Sequence, residues 1–219
     1  MATVVRRRWR TRGPLGFASA LTLGAAVVVA SVLYRGHTGH QLVLACCGDR
    51  NGYPVDRWLA RLPGSMVAPA NSLPVWGSVA QVLLAFGLAE AAVGRRMTLG
   101  VAFLGHLVAS AAGRWLLSSG ALIGGLAADR FALDTGPSAA TVSLAAYLAV
   151  VLRCPALGVA CAGALVAAAF THSGLAAGEH ATAALVGLAA GAGHLGWLRW
   201  KAANLASSAE QHRPQPTRA

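Results

Sequence analysis

Charge is scarce in this chain, and acid is scarcer still. Only 11% of its 219 residues are Asp, Glu, Lys or Arg, and 7 acids stand against 18 basic residues. A soluble domain carries about a quarter charged residues, so the shortage argues against a water-facing globular surface. Cysteine is nearly absent. Cys46, Cys47, Cys154 and Cys161 are too few and too scattered for a disulfide framework, and no Cys-x-x-Cys or similar zinc-ligand spacing occurs. Neither a metal nor a cofactor is therefore expected. There is also no fixed-period repeat and no pair of broken apolar helices, which makes a small transporter the weaker class.

Apolar sequence is what the chain has in abundance. Hydrophobic residues make up 56%, and the mean hydropathy of +0.56 belongs to a membrane protein. A net charge of +11 is compatible with nucleic-acid binding only if basic residues interleave with polar and aromatic ones. Instead they cluster beside apolar runs, at Arg6 to Arg12, at Arg95 and Arg96, and from Arg199 to Arg218, as charges that orient spans in a bilayer do. The partner this implies is the lipid bilayer, with no nucleic acid.

A membrane-spanning helix needs about 20 apolar residues, and six segments approach that: 15–34, 74–94, 97–118, 138–152, 155–174 and 180–200. The fourth is short, with fifteen residues before Arg153. The basic start and apolar core of the first also fit a signal peptide, but its run is longer than a usual signal core and is read as an uncleaved span. The expected fold is thus an all-α polytopic bundle of six transmembrane helices over 15–200, with a basic N-terminus at 1–14 and a basic, disordered tail at 201–219. With both termini in the cytoplasm of a cell-membrane protein, the Arg95–Arg96 and Arg153 turns also fall inside. The loop at 35–73 then lies outside; its pieces 42-LVLACC-47 and 55-VDRWLARL-62 suggest that it rests in the interface.

Ionisable groups inside spans are the candidates for function. For Glu90 a salt bridge or cap with Arg95 or Arg96 is expected, for His106 and Arg114 an interhelical hydrogen bond, and for His194 a structural role near the interface. Ser138 and His180 differ, because each stands at the outer start of a span running in the same direction, the fourth and the sixth. A serine hydroxyl becomes nucleophilic when a neighbouring base takes its proton, and histidine is the usual base. Gly136 and Pro137 free the backbone before Ser138 for an oxyanion hole of main-chain N–H groups. The plainer alternative is that Ser138 caps its helix and His180 is an interfacial polar residue. Asp134 and Glu179 flank the pair; adjacent helical residues point about 100° apart, so Glu179 does not orient His180.

The pieces 136-GPSA-139, 180-HATAALVG-187 and 90-EAAVGRR-96 together resemble the rhomboid intramembrane serine proteases. In that family a short fourth helix opens on Gly-x-Ser, and the sixth carries His-x-x-Gly-x-x-x-Gly. The resemblance implies a Ser138 nucleophile with His180 as its base, a dyad without a third acid, cutting single-span membrane proteins in or near the bilayer. It also implies a second-helix pair that supports the oxyanion. Pro74 and Ser78 stand where the family has His and Asn, leaving Ser78 or Gln81 as the donors, and Ala139 and Ala183 stand where glycine is common. The alternative within the same fold is a catalytically inactive rhomboid-like protein that binds transmembrane helices as scaffold or chaperone.

Overall fold

A computed structural model describes residues 2–48, 53–69, 74–119, 136–171 and 174–211, and every element among them is helical. In chain order these are α1 (Ala2–Arg12), a 3-10 turn (Gly13–Phe17), α2 (Ala18–Tyr34), α3 (His37–Cys47), α4 (Val55–Ser65), α5 (Val75–Val93), α6 (Arg95–Ser119), α7 (Ser138–Val151), α8 (Pro155–Thr171) and α9 (Gly174–Gln211). Four stretches are long and apolar enough to cross a membrane: Val5–Tyr34, Val75–Val93, Arg95–Leu116 and Ala176–Ser208. The protein is a helical membrane protein. Its outer surface agrees, since Val29, Val32, Leu84, Trp115 and Leu185 are all more than half exposed, and an apolar exterior of this extent suits a lipid surrounding.

The boundaries depart from the sequence expectation in three places. Within the first apolar stretch the helix α2 begins at Ala18 instead of residue 15, after a 3-10 turn in which Gly13 takes φ +54°, Pro14 follows it and Arg8 Nε donates to Gly16 O at 3.3 Å. The last helix begins at Gly174 and places His180 in its second turn, since Leu175, Ala176 and Ala177 are good helix formers. That helix then continues to Gln211, into the tail expected to be disordered; 201-KAANLASSAEQ-211 is rich in alanine, and helix propensity extends the span. The loop at 35–73 is largely two helices, α3 and α4. All four cysteines carry free thiols.

Packing assigns each helix a direction. Gly24 meets Leu83, and Ser19 and Ala20 meet Glu90, so α2 and α5 run antiparallel. Along α6, Gly105 lies against Ser143 of α7, while Gly113 lies against Glu179 of α9. Ala109, between them, clusters with Ala139 and Ala183. The partner numbers fall as α6 advances, which makes α6 antiparallel to both. On α9, Gly187 abuts the Ser143 carbonyl and Gly191 lies against Val150, so α7 and α9 are parallel. α7 is the central helix: Leu144, Tyr147 and Leu148 are fully buried among Val82, Phe86 and Val101.

Glu90 fastens the opposite end of the bundle. Its carboxylate accepts from the Ser19 N–H at 3.2 Å and the Ala20 N–H at 3.0 Å, the otherwise unpaired first-turn amides of α2. The same helix N-terminus favours negative charge. Arg95 approaches at 3.8 Å but is half exposed, so most of the holding falls to the two amides. Glu90→Ala strands two buried N–H groups, each costing about 1–3 kcal/mol. Unfolding in mixed micelles is expected to show a loss of about 3 kcal/mol, with Glu90→Gln losing less because it keeps one acceptor oxygen.

Candidate functional site

The parallel register of α7 and α9 sets the geometry of the expected Ser–His pair. Ala139 and Ala183 are buried in one cluster with Ala109, and Ser143 meets Gly187, a constant offset of 44 residues in both cases. Ser138 therefore stands level with Thr182, and His180 lies two residues away, about 3 Å along the axis at 1.5 Å per residue. Both side chains are half-buried. The two thus lie within about 3 Å of one another along the axes of two closely packed helices.

Ser138 is the first residue of α7, with Pro137 in the cap position and no side-chain cap bond. The capping role that offered the plainer explanation is not the one the structure gives it. Among the described residues the Ser138 hydroxyl has no hydrogen-bond partner, whereas its carbonyl accepts from Thr141 Oγ1 at 2.9 Å. Pro137 contributes its own carbonyl to the helix, accepting from Thr141 N at 2.9 Å. The hydroxyl at the head of α7 is uncommitted.

Gly136 precedes this turn with φ +126°, a conformation that L side chains rarely adopt. Its N–H, a candidate oxyanion donor, donates to the Ser65 carbonyl at 2.9 Å. Of the two expected donors on α5, Gln81 is half-buried and its Oε1 lies 3.3 Å from Thr141 Oγ1, one turn into α7. Thr141 has one proton and gives it to Ser138 O, so the Gln81 amide fits better turned, its NH₂ donating to Oγ1. Ser78 is buried one turn earlier on the same helix. Pro74 caps α5 with its carbonyl, which accepts from Ser78 N at 3.2 Å. Asp134 lies outside the described residues. Glu179 is buried, its side chain against Gly113 of α6.

A Ser–His contact does occur, between two residues that the sequence did not pair. Ser65, the last residue of α4, places its Oγ 2.7 Å from His106 Nε2 on α6. Both are almost fully enclosed, at 1% and 2% exposed, so no substrate reaches this serine. Ser65 Oγ donates to Leu62 O at 2.9 Å, which makes His106 Nε2–H the donor to Oγ and leaves His106 Nδ1 as a buried, unpaired acceptor. The contact belongs to a ladder. Trp58 Nε1 donates to Ser110 Oγ at 2.9 Å, and Arg114 stacks over the Trp58 ring at 5.2 Å while its Nη2 donates to Tyr53 O at 2.6 Å. His106, Ser110 and Arg114 recur every four residues on α6, and that spacing was the available signal; Ser65 carried none of its own. No group of three or more His, Cys, Asp or Glu residues suited to a metal occurs among the described residues. A cavity of about 440 Å³ beside Leu152 and Arg153 lies at the far end of α7 and takes no part in this arrangement.

Gly136→Ala forces a side chain into φ +126°, at a cost of about 1–3 kcal/mol. The expected result is a protein that keeps its helical circular dichroism but loses the amide protection of Gly136 in hydrogen exchange. Compared with protein-family models, with curated proteins and with solved structures, the chain matches none.

Proposed function

We propose that the protein is a rhomboid-type intramembrane serine protease, with Ser138 as nucleophile and His180 as general base, acting on single-span membrane proteins in or near the bilayer. The observation that carries this reading is the shared level of the two residues on α7 and α9, set by the buried Ala139–Ala183 contact and the Ser143–Gly187 contact. The uncommitted hydroxyl of Ser138 supports it as well, because a nucleophile spent on capping its own helix is not free to attack. In this reading α8, with 17 residues, and α7, with 14, complete six spans, and the basic termini lie in the cytoplasm.

The chemistry follows from the pair. His180 takes the Ser138 proton as Oγ attacks the scissile carbonyl, then returns it to the leaving amine; water repeats the cycle on the acyl-enzyme. The oxyanion needs donors at the head of α7, where backbone N–H groups of the first helical turn are unspent and the Gln81 amide lies beside Thr141. An inactive helix-binding protein of the same fold is favoured by one observation: the Gly136 N–H is already bonded to Ser65 O.

Purified protein in nanodiscs is expected to react covalently with a fluorophosphonate probe at Ser138, and Ser138→Ala to abolish the adduct. His180→Ala is expected to slow labelling by about 10³-fold, the order of a general base's contribution. Folded wild-type protein that takes no label rejects the protease in favour of the binding reading.

A further inference from the structure

The sealed Ser65–His106 contact leads, through one residue, to the candidate nucleophile. Ser65 is bonded at both ends: its hydroxyl to His106 Nε2 at 2.7 Å and to Leu62 O at 2.9 Å, its carbonyl to Gly136 N at 2.9 Å. Gly136 holds φ +126°, and two residues later Ser138 opens α7. A glycine with that freedom adopts many conformations unless something fixes it, and the Ser65 carbonyl is the bond that does. His106 in turn sits one helical turn from Ala109, which touches both Ala139, next to Ser138, and Ala183, one turn beyond His180.

We infer that His106 and Ser65 are positioning residues for Ser138: His106 holds the Ser65 hydroxyl, Ser65 holds Gly136, and the chain of bonds sets the place of the serine relative to His180. The inference rests on the protease reading for its effect on rate and on the hydrogen bonds alone for its effect on the turn. Burial argues for this role over a simple filler. A histidine 2% exposed with one ring nitrogen unpaired carries a desolvation cost that a leucine in the same space does not. Leucine would fill α6 as well, and what histidine adds is the N–H that fixes Ser65. The ladder above it, from Trp58 to Ser110 and from Arg114 to Tyr53, ties α4 to α6 along its length, so the turn before Ser138 is held by the α4 end of the long loop.

The test compares wild type, His106→Leu, His106→Gln and Ser65→Ala, all as full-length protein in nanodiscs. The Gln amide nitrogen reaches where Nε2 does and restores the bond, and Ser65→Ala removes the hydroxyl while keeping the carbonyl. Misplacing a nucleophile by about 1 Å costs on the order of 10²-fold. His106→Leu is therefore expected to slow the fluorophosphonate inactivation rate constant about 10²-fold with probe affinity unchanged, Gln to recover most of it, and Ser65→Ala to fall between. A second readout is independent of catalysis: the alkylation rate of a Ser138→Cys thiol, expected to change when His106→Leu is added and to return with His106→Gln. If the wild type takes no label, the protease reading fails and the alkylation rates alone decide the positioning role. Equal alkylation rates in all backgrounds overturn it, as does a loss of labelling that His106→Gln fails to restore; if His106→Leu does not fold, Ser65→Ala decides by the same measure.

Discussion

The closeness of α7 to α9 and α6 is the constraint on which the rest of the structure depends. Between helices in lipid there is no hydrophobic drive to associate, so contact rests on van der Waals packing at short range and on interhelical hydrogen bonds. Small residues supply that range: Gly187 lets α9 ride against the Ser143 carbonyl, and Gly105 lets α6 approach the Ser143 side chain from the other side. A methyl group at Gly187 or Gly105 overlaps its neighbour. Because the α7–α9 contacts recur along parallel helices, Ser143 with Gly187 and Val150 with Gly191, they set a register as well as a distance. The shared level of Ser138 and His180 is a consequence of that register and needs no direct bond between them.

Polar groups within the apolar bundle serve the same end by pinning elements that packing alone would leave free to slide. Glu90 holds the first turn of α2 from α5, and the Tyr147 hydroxyl lies 2.6 Å from His194 Nδ1, joining α7 to α9 toward the same end of the bundle. At the other end, Ser65–His106, Trp58–Ser110 and Arg114–Tyr53 hold α4 and the approach to it against α6. Each bond is worth little beyond the cost of leaving its groups unpaired in a dry interior. Together they decide which of many similar apolar packings the chain adopts.

Hydropathy made the four long apolar stretches legible because a run of some 20 apolar residues has few other uses, and the basic clusters marked the α5–α6 and α7–α8 turns. Their ends were less so. The continuation of α9 to Gln211 and the start of α2 at Ala18 depend on propensity and on a Gly13–Pro14 turn, signals that hydropathy averages away. Within the site, Ser138, His180 and Gln81 could be named from motif and spacing, and each stands near the head of α7 or level with it. Ser65 could not be. It sits at the end of a short amphipathic helix, and its value comes from a carbonyl, which no residue type announces, meeting a glycine 71 positions away.

The contrast between the two serines explains why one is a candidate for chemistry and the other for support. Ser65 has given its proton to Leu62 O and its lone pair to His106, and it is sealed. Ser138 has done neither, although the first residues of helices are where serine most often spends its hydroxyl. The 14 residues of α7 extend about 21 Å. α5, α6, α8 and α9 all pack against this short helix. Enclosure also suits a polar head, where Thr141 Oγ1 meets both the Ser138 carbonyl and the Gln81 amide. A short central helix, a fixed glycine before it and a histidine within about 3 Å of the level of its first residue are thus three aspects of one arrangement, in which Pro137 takes the cap position and Ser138 does not.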